Sequence, residues 1–316
     1  MASKSSTRPK TQPKARRLTA GEAVQQLRKW NDLPLEKKLA RAASVIRQTL
    51  EAADGKAVVS YSGGRDSVVM AELVRDQAPD VPLCYVDTGL ADPRLTQWIK
   101  THAGRHLVYL KNPTHPEETW KREPCLPIGA KMSATNYRRS NPELRVDPSK
   151  CCDIHKARPQ NAWLQKYGCK ALFVGARGDD SNRHRFKLMS GEVFPSGLGW
   201  WLSYPLLVWT QRDVLEYLRD RLPAYPLMYA RNEELGCRAC AINLARWPNQ
   251  MQKLRQSDPA YHRHLMADVG YAEQILMIQH DLTLAGARTL IEREGLDHLI
   301  ESGALDRIPK SVKGIR

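Results

Sequence analysis

Residues 57–67 read Ala57-Val58-Val59-Ser60-Tyr61-Ser62-Gly63-Gly64-Arg65-Asp66-Ser67, and the reading of this stretch decides the fold. The compact apolar run Ala57 to Ser62 is bounded by Asp54-Gly55 before it and Gly63-Gly64 after it, which predicts a buried strand. A helix is predicted from Asp66 to about Gln77. Between them, two glycines let the backbone turn sharply and approach a ligand. The free N–H groups at the helix start and the helix dipole both favour an anion there. Ser62 and Ser67 add hydroxyl donors. The Gly-Lys-Ser/Thr ending of a Walker loop is missing. An ordinary Gly-Gly turn with a serine cap is the competing reading, and six matched residues between a strand and a helix weigh against it.

Outward from this turn the same alternation continues. Strands are predicted at Pro82 to Asp87, Arg105 to Leu110 and Lys170 to Ala176, with helices near 92–103 and 153–167 between them. Such alternation predicts an α/β fold, a doubly wound and mostly parallel sheet with helices on both faces. Upstream, Thr19 and Glu22 form a capping box for a helix to about Trp30. Leu35, Leu39, Ala43, Ile46 and Leu50 mark one face of a helix over 35–53. Downstream, Trp200 to Tyr204 reads as a short strand, and Thr210 caps a helix to Leu222 with Asp213 in the capping-box position. The segment 111–150 is rich in Pro, Asn, Lys and Arg and is expected to be an irregular insertion. Beyond Cys240 several helices are expected, broken near Pro248, Pro259 and Gly270. The expected organisation is a basic disordered tail over 1–18, an α/β domain with N-terminal helices over 19–241, and a helical C-terminal extension with a basic tail over 242–316.

The chain has 316 residues and a formal charge of +15. Residues 1–20 carry six basic residues and no acid, and residues 307–316 carry four and no acid; removing these ten leaves +5 for the rest. Basic tails suit polyanions, because each cation near a phosphate releases condensed counterions; a solubilising tail is the alternative. No apolar run approaches the roughly 20 residues that cross a bilayer, and Met1 to Ala20 has no apolar signal-peptide core. A cytoplasmic protein with no membrane partner is expected.

Seven cysteines occur, an odd number that argues against a disulfide framework. Four form two tight pairs, Cys151-Cys152 and Cys237-x-x-Cys240. Four thiolates suit a tetrahedral zinc or a [4Fe-4S] cluster. Adjacent cysteines diverge, which is awkward around one zinc ion, whereas a cubane offers different irons to neighbouring ligands. Cys84 and Cys169 read as buried apolar residues, and Cys125 as a loop cysteine.

The Ser60 to Ser67 segment resembles the PP-loop of the adenine-nucleotide alpha-hydrolase group, which includes ATP pyrophosphatases, tRNA-thiolation enzymes and the phosphoadenylylsulfate and adenylylsulfate reductases. Val86-Asp87-Thr88-Gly89 resembles the reductase branch. Cys151-Cys152-Asp153-Ile154-His155-Lys156-Ala157-Arg158-Pro159 resembles the Cys-Cys-x-x-x-Lys-x-x-Pro of iron–sulfur adenylylsulfate reductases, and the 84 residues between the two cysteine pairs match that family's long gap. Gly175-Ala176-Arg177-Gly178-Asp179-Asp180-Ser181, the block Tyr204-Pro205-Leu206, Trp209-Thr210, Asp213-Val214 and Tyr217, and Pro226-Leu227 before Gly236-Cys237 follow in the family's order. The resemblance implies that Ser60, Ser62, Gly63, Gly64, Arg65, Asp66, Ser67, Asp87, Thr88, Gly89, Gly175 and Arg177 bind the nucleotide. It implies that Asp66, Asp87, Lys156 and Arg177 serve the chemistry, Asp66 orienting the loop or a magnesium ion, and that Cys151, Cys152, Cys237 and Cys240 hold a [4Fe-4S] cluster. Arg183 and Arg185 are left open.

The reductases of this family carry a nucleophilic cysteine in a C-terminal Glu-Cys-Gly-Ile/Leu-His tail. Here Glu301-Ser302-Gly303-Ala304-Leu305 has serine at that place, and serine is a poor nucleophile towards sulfur because its alkoxide is not populated near neutral pH. Three readings follow. The absent nucleophile and the basic tails tilt the expectation towards ATP-dependent activation and sulfur transfer to nucleic acid, with a cysteine desulfurase or another thiol as sulfur donor. The resemblance as a whole is closest to an adenylylsulfate or phosphoadenylylsulfate reductase using an external thiol. A non-catalytic nucleotide-binding regulator is the third.

Overall fold

The computed structural model describes residues 18–122, 151–180, 182–222, 225, 236–240, 250–280 and 282–306. The expectations for the tails at 1–17 and 307–316, for Cys125, for Pro226-Leu227, for Ser181 and for the side chain of Arg183 lie outside the described residues. The chain forms two compact units that interleave along the sequence: 1–86, 93–110 and 160–235 in the first, and 87–92, 111–159 and 236–316 in the second.

The first unit is a six-stranded sheet in the order β3-β2-β1-β4-β6-β5. Its strands are β1 (Ala57–Ser60), β2 (Leu83–Asp87), β3 (Leu107–Lys111), β4 (Ala171–Val174), β5 (Val193–Pro195) and β6 (Trp201–Ser203). β1 pairs in parallel with β2 and β4, and β4 with β6, whereas β5 runs antiparallel to β6. The fold is thus α/β with a mostly parallel sheet, as the alternation predicts. β1 sits centrally, with Ala57, Val58 and Val59 fully buried. That is why its sequence is a continuous apolar run rather than an alternating one. The helices α1 (Ala20–Asn31), α2 (Leu35–Ala52), α3 (Arg65–Arg75) and α4 (Pro93–His102) accompany it. The capping box of Thr19 and Glu22 is formed.

α5 (Pro116–Arg122) corrects the expectation of an irregular segment from 111: proline and two glutamates in its first turn are good helix-start residues. The expected helix over 153–167 is a π-helical turn, Asp153–Ala157, followed by α6 (Arg158–Tyr167). Pro159 explains the widening, because its ring would clash with the carbonyl four residues earlier in a regular helix. A one-turn helix, α7 (Asn182–Arg185), precedes β5, a three-residue strand too short to leave a periodic signal. α8 (Gln211–Arg221) starts at the Thr210–Asp213 capping box, and Asp213 also accepts a buried ion pair from Lys38 of α2 at 2.7 Å.

The described helices of the second unit beyond Cys240 are α9 (Gln250–Ser257), α10 (Pro259–Ala267), α11 (Tyr271–His280), α12 (Leu284–Glu294) and α13 (Leu296–Glu301). Breaks at Pro259 and Gly270 fall where expected. Their core of Leu254, Leu265, Tyr271, Ile275 and Leu276 also takes in Leu90, Trp120 and Ala239. Among the described residues no helix is long and apolar enough to cross a membrane.

Candidate functional site

In the first unit the glycine turn leaves β1 where the strand order reverses, with β2 and β3 on one side and β4 on the other. The crevice beyond the carboxyl ends of β1 and β4 is the position at which doubly wound sheets take their ligands. Gly63 has φ of +72°, and a Cβ there would stand 2.7 Å from the Ile99 side chain; only glycine meets both conditions. The loop is held by its own serines. Ser62 N–H donates to Ser67 Oγ (3.2 Å), Ser67 Oγ donates to the Gly64 carbonyl (2.8 Å), and Gly64 N–H donates to Ser62 Oγ (3.3 Å). Both hydroxyls are therefore ordered at the start of α3. Ser60 Oγ accepts from Gln160 Nε2 (3.0 Å), and Tyr225 donates its hydroxyl to the Gly63 carbonyl (3.1 Å).

Asp66 lies in the first turn of α3, beside Arg65. Its Oδ1 accepts from Arg177 Nε at 3.0 Å, and Arg177 Nη1 donates to Asp179 Oδ1. Asp179 Oδ2 accepts the backbone N–H of Gln211 at 2.9 Å, at the start of α8. Arg177 is buried, so its guanidinium braces the turn after β4 against the loop helix. Burial pushes the Asp66 carboxyl above its ordinary value, and the Arg177 guanidinium pulls it part of the way back. Gly175 lets these elements meet: a Cβ there would lie 2.7 Å from the Asp66 carbonyl oxygen and 2.9 Å from Ser67 Cα. A cavity of about 550 Å³ in the same unit, lined by Arg41, Glu192 and Phe194 among others, contains none of the expected site residues.

In the second unit, Asp87 Oδ1 accepts the Gly89 N–H at 2.8 Å, a side-chain turn at the end of β2. Thr88 Oγ1 accepts from Leu90 N–H (3.2 Å) and lies 3.5 Å from Cys237 Sγ. Cys151, Cys152, Cys237 and Cys240 line one cavity with Thr88, Trp120, His155 and Lys156. None of the four is in a disulfide. Burial pushes the Cys151 thiol up to about 12, and the charges of Cys152, Cys237 and Cys240 add to this. The buried indole N–H of Trp120 makes no formed hydrogen bond, yet it lies near enough to Cys151 to favour the thiolate. Burial also raises the Cys152 thiol, against the pull of the Lys156 ammonium. Cys237 raises the Lys156 ammonium, and Cys152 and Cys240 act in the same direction. Among the described residues, no three His, Cys, Asp or Glu side chains converge on a point that a single metal ion would occupy.

A family model described as the phosphoadenosine phosphosulfate reductase domain matches residues 56–243. This chain belongs to the phosphoadenosine phosphosulfate reductase family. An adenosine 5'-phosphosulfate reductase of Staphylococcus epidermidis is 25% identical over 214 residues, covering 66% of this chain and 80% of the relative. A phosphoadenosine 5'-phosphosulfate reductase of Synechococcus is 29% identical over 171 residues, covering 54% and 68%. A solved phosphoadenylyl-sulfate reductase from Candida auris, in complex with phosphate, superimposes with a TM-score of 0.44 at 16% identity, covering 70% of this chain and 96% of that one.

Within the matched domain of this reductase-family chain, Gln160 and Tyr225 hold the loop and carry no motif of their own, whereas Asp179, which braces Arg177, lies in the Gly175 to Ser181 stretch. Gln160 and Tyr225 lie 100 and 162 residues from the groups they hold. Cys84 and Cys169 are buried as expected, and burial raises both thiols to about 12. Ser302, of the Glu301-Ser302-Gly303 stretch, is the C-terminal cap of α13; its hydroxyl donates to the Leu299 carbonyl at 3.2 Å.

Proposed function

We propose that this protein reduces an adenylylsulfate-type nucleotide, adenylylsulfate or its 3'-phosphate, to sulfite with a thiol supplied by another molecule. The observation that carries the reading is the family match over residues 56–243, in a chain whose Ser62 to Ser67 turn offers ordered hydroxyls and a helix start to an anion. Ser60, Ser62, Gly63, Gly64, Arg65, Ser67 and Gly175 would shape and line the phosphate site, and Asp66 and Arg177 would keep its helix in place. The family resemblance alone assigns Asp87, Thr88 and Gly89 to nucleotide binding and Lys156 to the chemistry. The sulfur of a thiol attacks the sulfate sulfur and the nucleotide leaves with its phosphate oxygen. A second thiol then attacks the thiol-derived sulfur of that adduct, giving a disulfide and sulfite, so two thiols are oxidised for each sulfate sulfur reduced. The attacking thiol is read as external, since Ser302 in the Glu301-Ser302-Gly303 stretch is a poor nucleophile towards sulfur and its hydroxyl is engaged at a helix end.

The four thiols fit a [4Fe-4S] cluster by donor chemistry. They are soft donors gathered on one cavity. When bound, the cluster would supply a polarisable charge. Cys151, Cys152, Cys237 and Cys240 would hold it, and the Lys156 ammonium would offset part of the thiolate charge.

Sulfur transfer to nucleic acid, with the basic tails as its contact, has weaker support: the relatives named above are reductases. Anaerobically purified protein is to be incubated with adenylylsulfate, with its 3'-phosphate, and with ATP plus nucleic acid, each with and without a dithiol. Sulfite release from a phosphosulfate that requires the dithiol is expected. Turnover of ATP to AMP that requires nucleic acid, with no sulfite, overturns the proposal.

A further inference from the structure

We infer that the helices following residue 250, which lie beyond the matched domain, brace the Cys237–Cys240 thiol pair, with Gln250 and Tyr271 as positioning residues. The loop Gly236–Cys240 contains only one isolated antiparallel bridge, Cys237 to Ala91. Three successive carbonyls of this loop are instead taken up by side chains. Gln250 Nε2 donates to the Cys237 carbonyl (3.3 Å) and to the Arg238 carbonyl (2.8 Å). The Tyr271 hydroxyl donates to the Ala239 carbonyl. Arg238 adds its own anchors: its N–H donates to the Leu90 carbonyl (2.9 Å), and its guanidinium donates to Asp258 (3.1 Å), the cap of α10. Cys240 N–H closes the turn on the Cys237 carbonyl at 3.0 Å.

Two features mark this as more than ordinary packing. Ala239 and Tyr271 are both fully buried, so water offers the Ala239 carbonyl no substitute and the lost bond would leave an unsatisfied acceptor. Gln250 gives up its own acceptor: Oε1 is buried without a partner while Nε2 serves two carbonyls. A buried acceptor left empty is unfavourable and needs a reason; here it leaves the amide aimed at the loop. A thiol pair without regular backbone needs such support to keep its sulfurs at a fixed separation. The matched domain stops at residue 243, whereas both positioning residues come later.

One of the two readouts rests on the proposal that the thiols hold a metal cluster; the other does not. Tyr271→Phe and Gln250→Leu each remove the donors and keep most of the bulk. Gln274→Met is the control, because Gln274 is equally buried on the helix of Tyr271 but bonds only within that helix, to the Gly270 carbonyl. Iron release from the anaerobically purified full chain to a chelator, followed by the visible spectrum, is expected to quicken about tenfold in both loop variants and to stay at the wild-type rate in the control. Equal rates in all three variants, or no change in either loop variant, overturn the inference. If wild-type protein carries no iron, the cluster reading fails, and amide exchange at Arg238 and Cys240 of the metal-free chain decides instead. Faster exchange in the two loop variants alone sustains the brace, and unchanged exchange removes it. Gln250→Leu decides alone if Tyr271→Phe does not fold.

Discussion

Asp66 shows how one residue of the loop carries a cost that a stability-optimised chain would avoid. Burial raises its carboxyl above the ordinary 3.8, and Arg177 only partly offsets this. A carboxyl raised in the folded state favours folding below about pH 3.8, where both states are protonated. That benefit is lost as pH rises through the folded value, because the unfolded chain ionises first. Asp66→Asn is therefore expected to shift the urea midpoint upward at about pH 7 and to leave it unchanged at about pH 3, while weakening nucleotide binding at both. A lowered midpoint at neutral pH would show that the Arg177 pair outweighs burial. The residues proposed for the phosphate were legible because Gly63, Gly64 and the serines are neighbours in sequence. Gln160 and Tyr225 were not, because each reaches the loop from a segment distant in sequence.

Among the elements, α8 has the most explicit start. Thr210 N–H and Oγ1 both donate to Asp213 Oδ2, and Lys38 Nζ joins them at 2.7 Å from a helix far away in sequence. The capping box itself was readable as Thr210 followed by Asp213. The lysine was not, since nothing in the amphipathic pattern of α2 distinguishes Lys38 from its exposed neighbour Lys37. Asp213→Ala leaves a buried ammonium without its carboxylate and removes the cap, so a loss of about 3 kcal/mol or more in chemical denaturation is expected. Lys38→Met is expected to cost less, because Thr210 still satisfies Asp213; equal losses would mean that the ion pair, not the cap, dominates. The π-helical turn after Cys152 is a case between the two: Pro159 was visible in the sequence, but a proline near a helix start is compatible with a regular first turn, and only the packed chain shows that it widened.

At the scale of the whole molecule, the two interleaved units respond to pH through different groups. In the second unit, His264 donates or accepts across Glu117 (2.9 Å) and Asp268 (2.7 Å), while Tyr261 donates to Glu117 and His115 lies 3.9 Å from it. Hydrogen bonds to Glu117 and Asp268 raise the His264 imidazole above its ordinary 6.5. Burial pushes Glu117 up, but the bonds from His264 and Tyr261 outweigh it and leave the carboxyl low. A raised histidine stabilises fully below its ordinary value and loses that contribution as pH rises through the folded value. Glu117 does the reverse on the acid side. The melting temperature is thus expected to decline as pH rises above about 6.5, and the slope to flatten in His264→Gln. The effect is small because the ring is partly exposed, and an unaltered slope in the variant would assign the decline elsewhere.

The sequence by itself determined the mostly parallel α/β sheet, the glycine turn after β1 and the pairing of cysteines into two short motifs, because each rests on periodicity or spacing over a few residues. Tertiary structure alone decided that residues 87–92 and 111–159 join the C-terminal helices in a unit of their own, that Arg177 answers to Asp66 and Asp179, and that Gln250 and Tyr271 hold the Cys237–Cys240 loop. Local rules fix how a segment folds. Which distant carbonyl or carboxylate a buried donor meets depends on how the completed elements pack, and no short stretch of the chain encodes that.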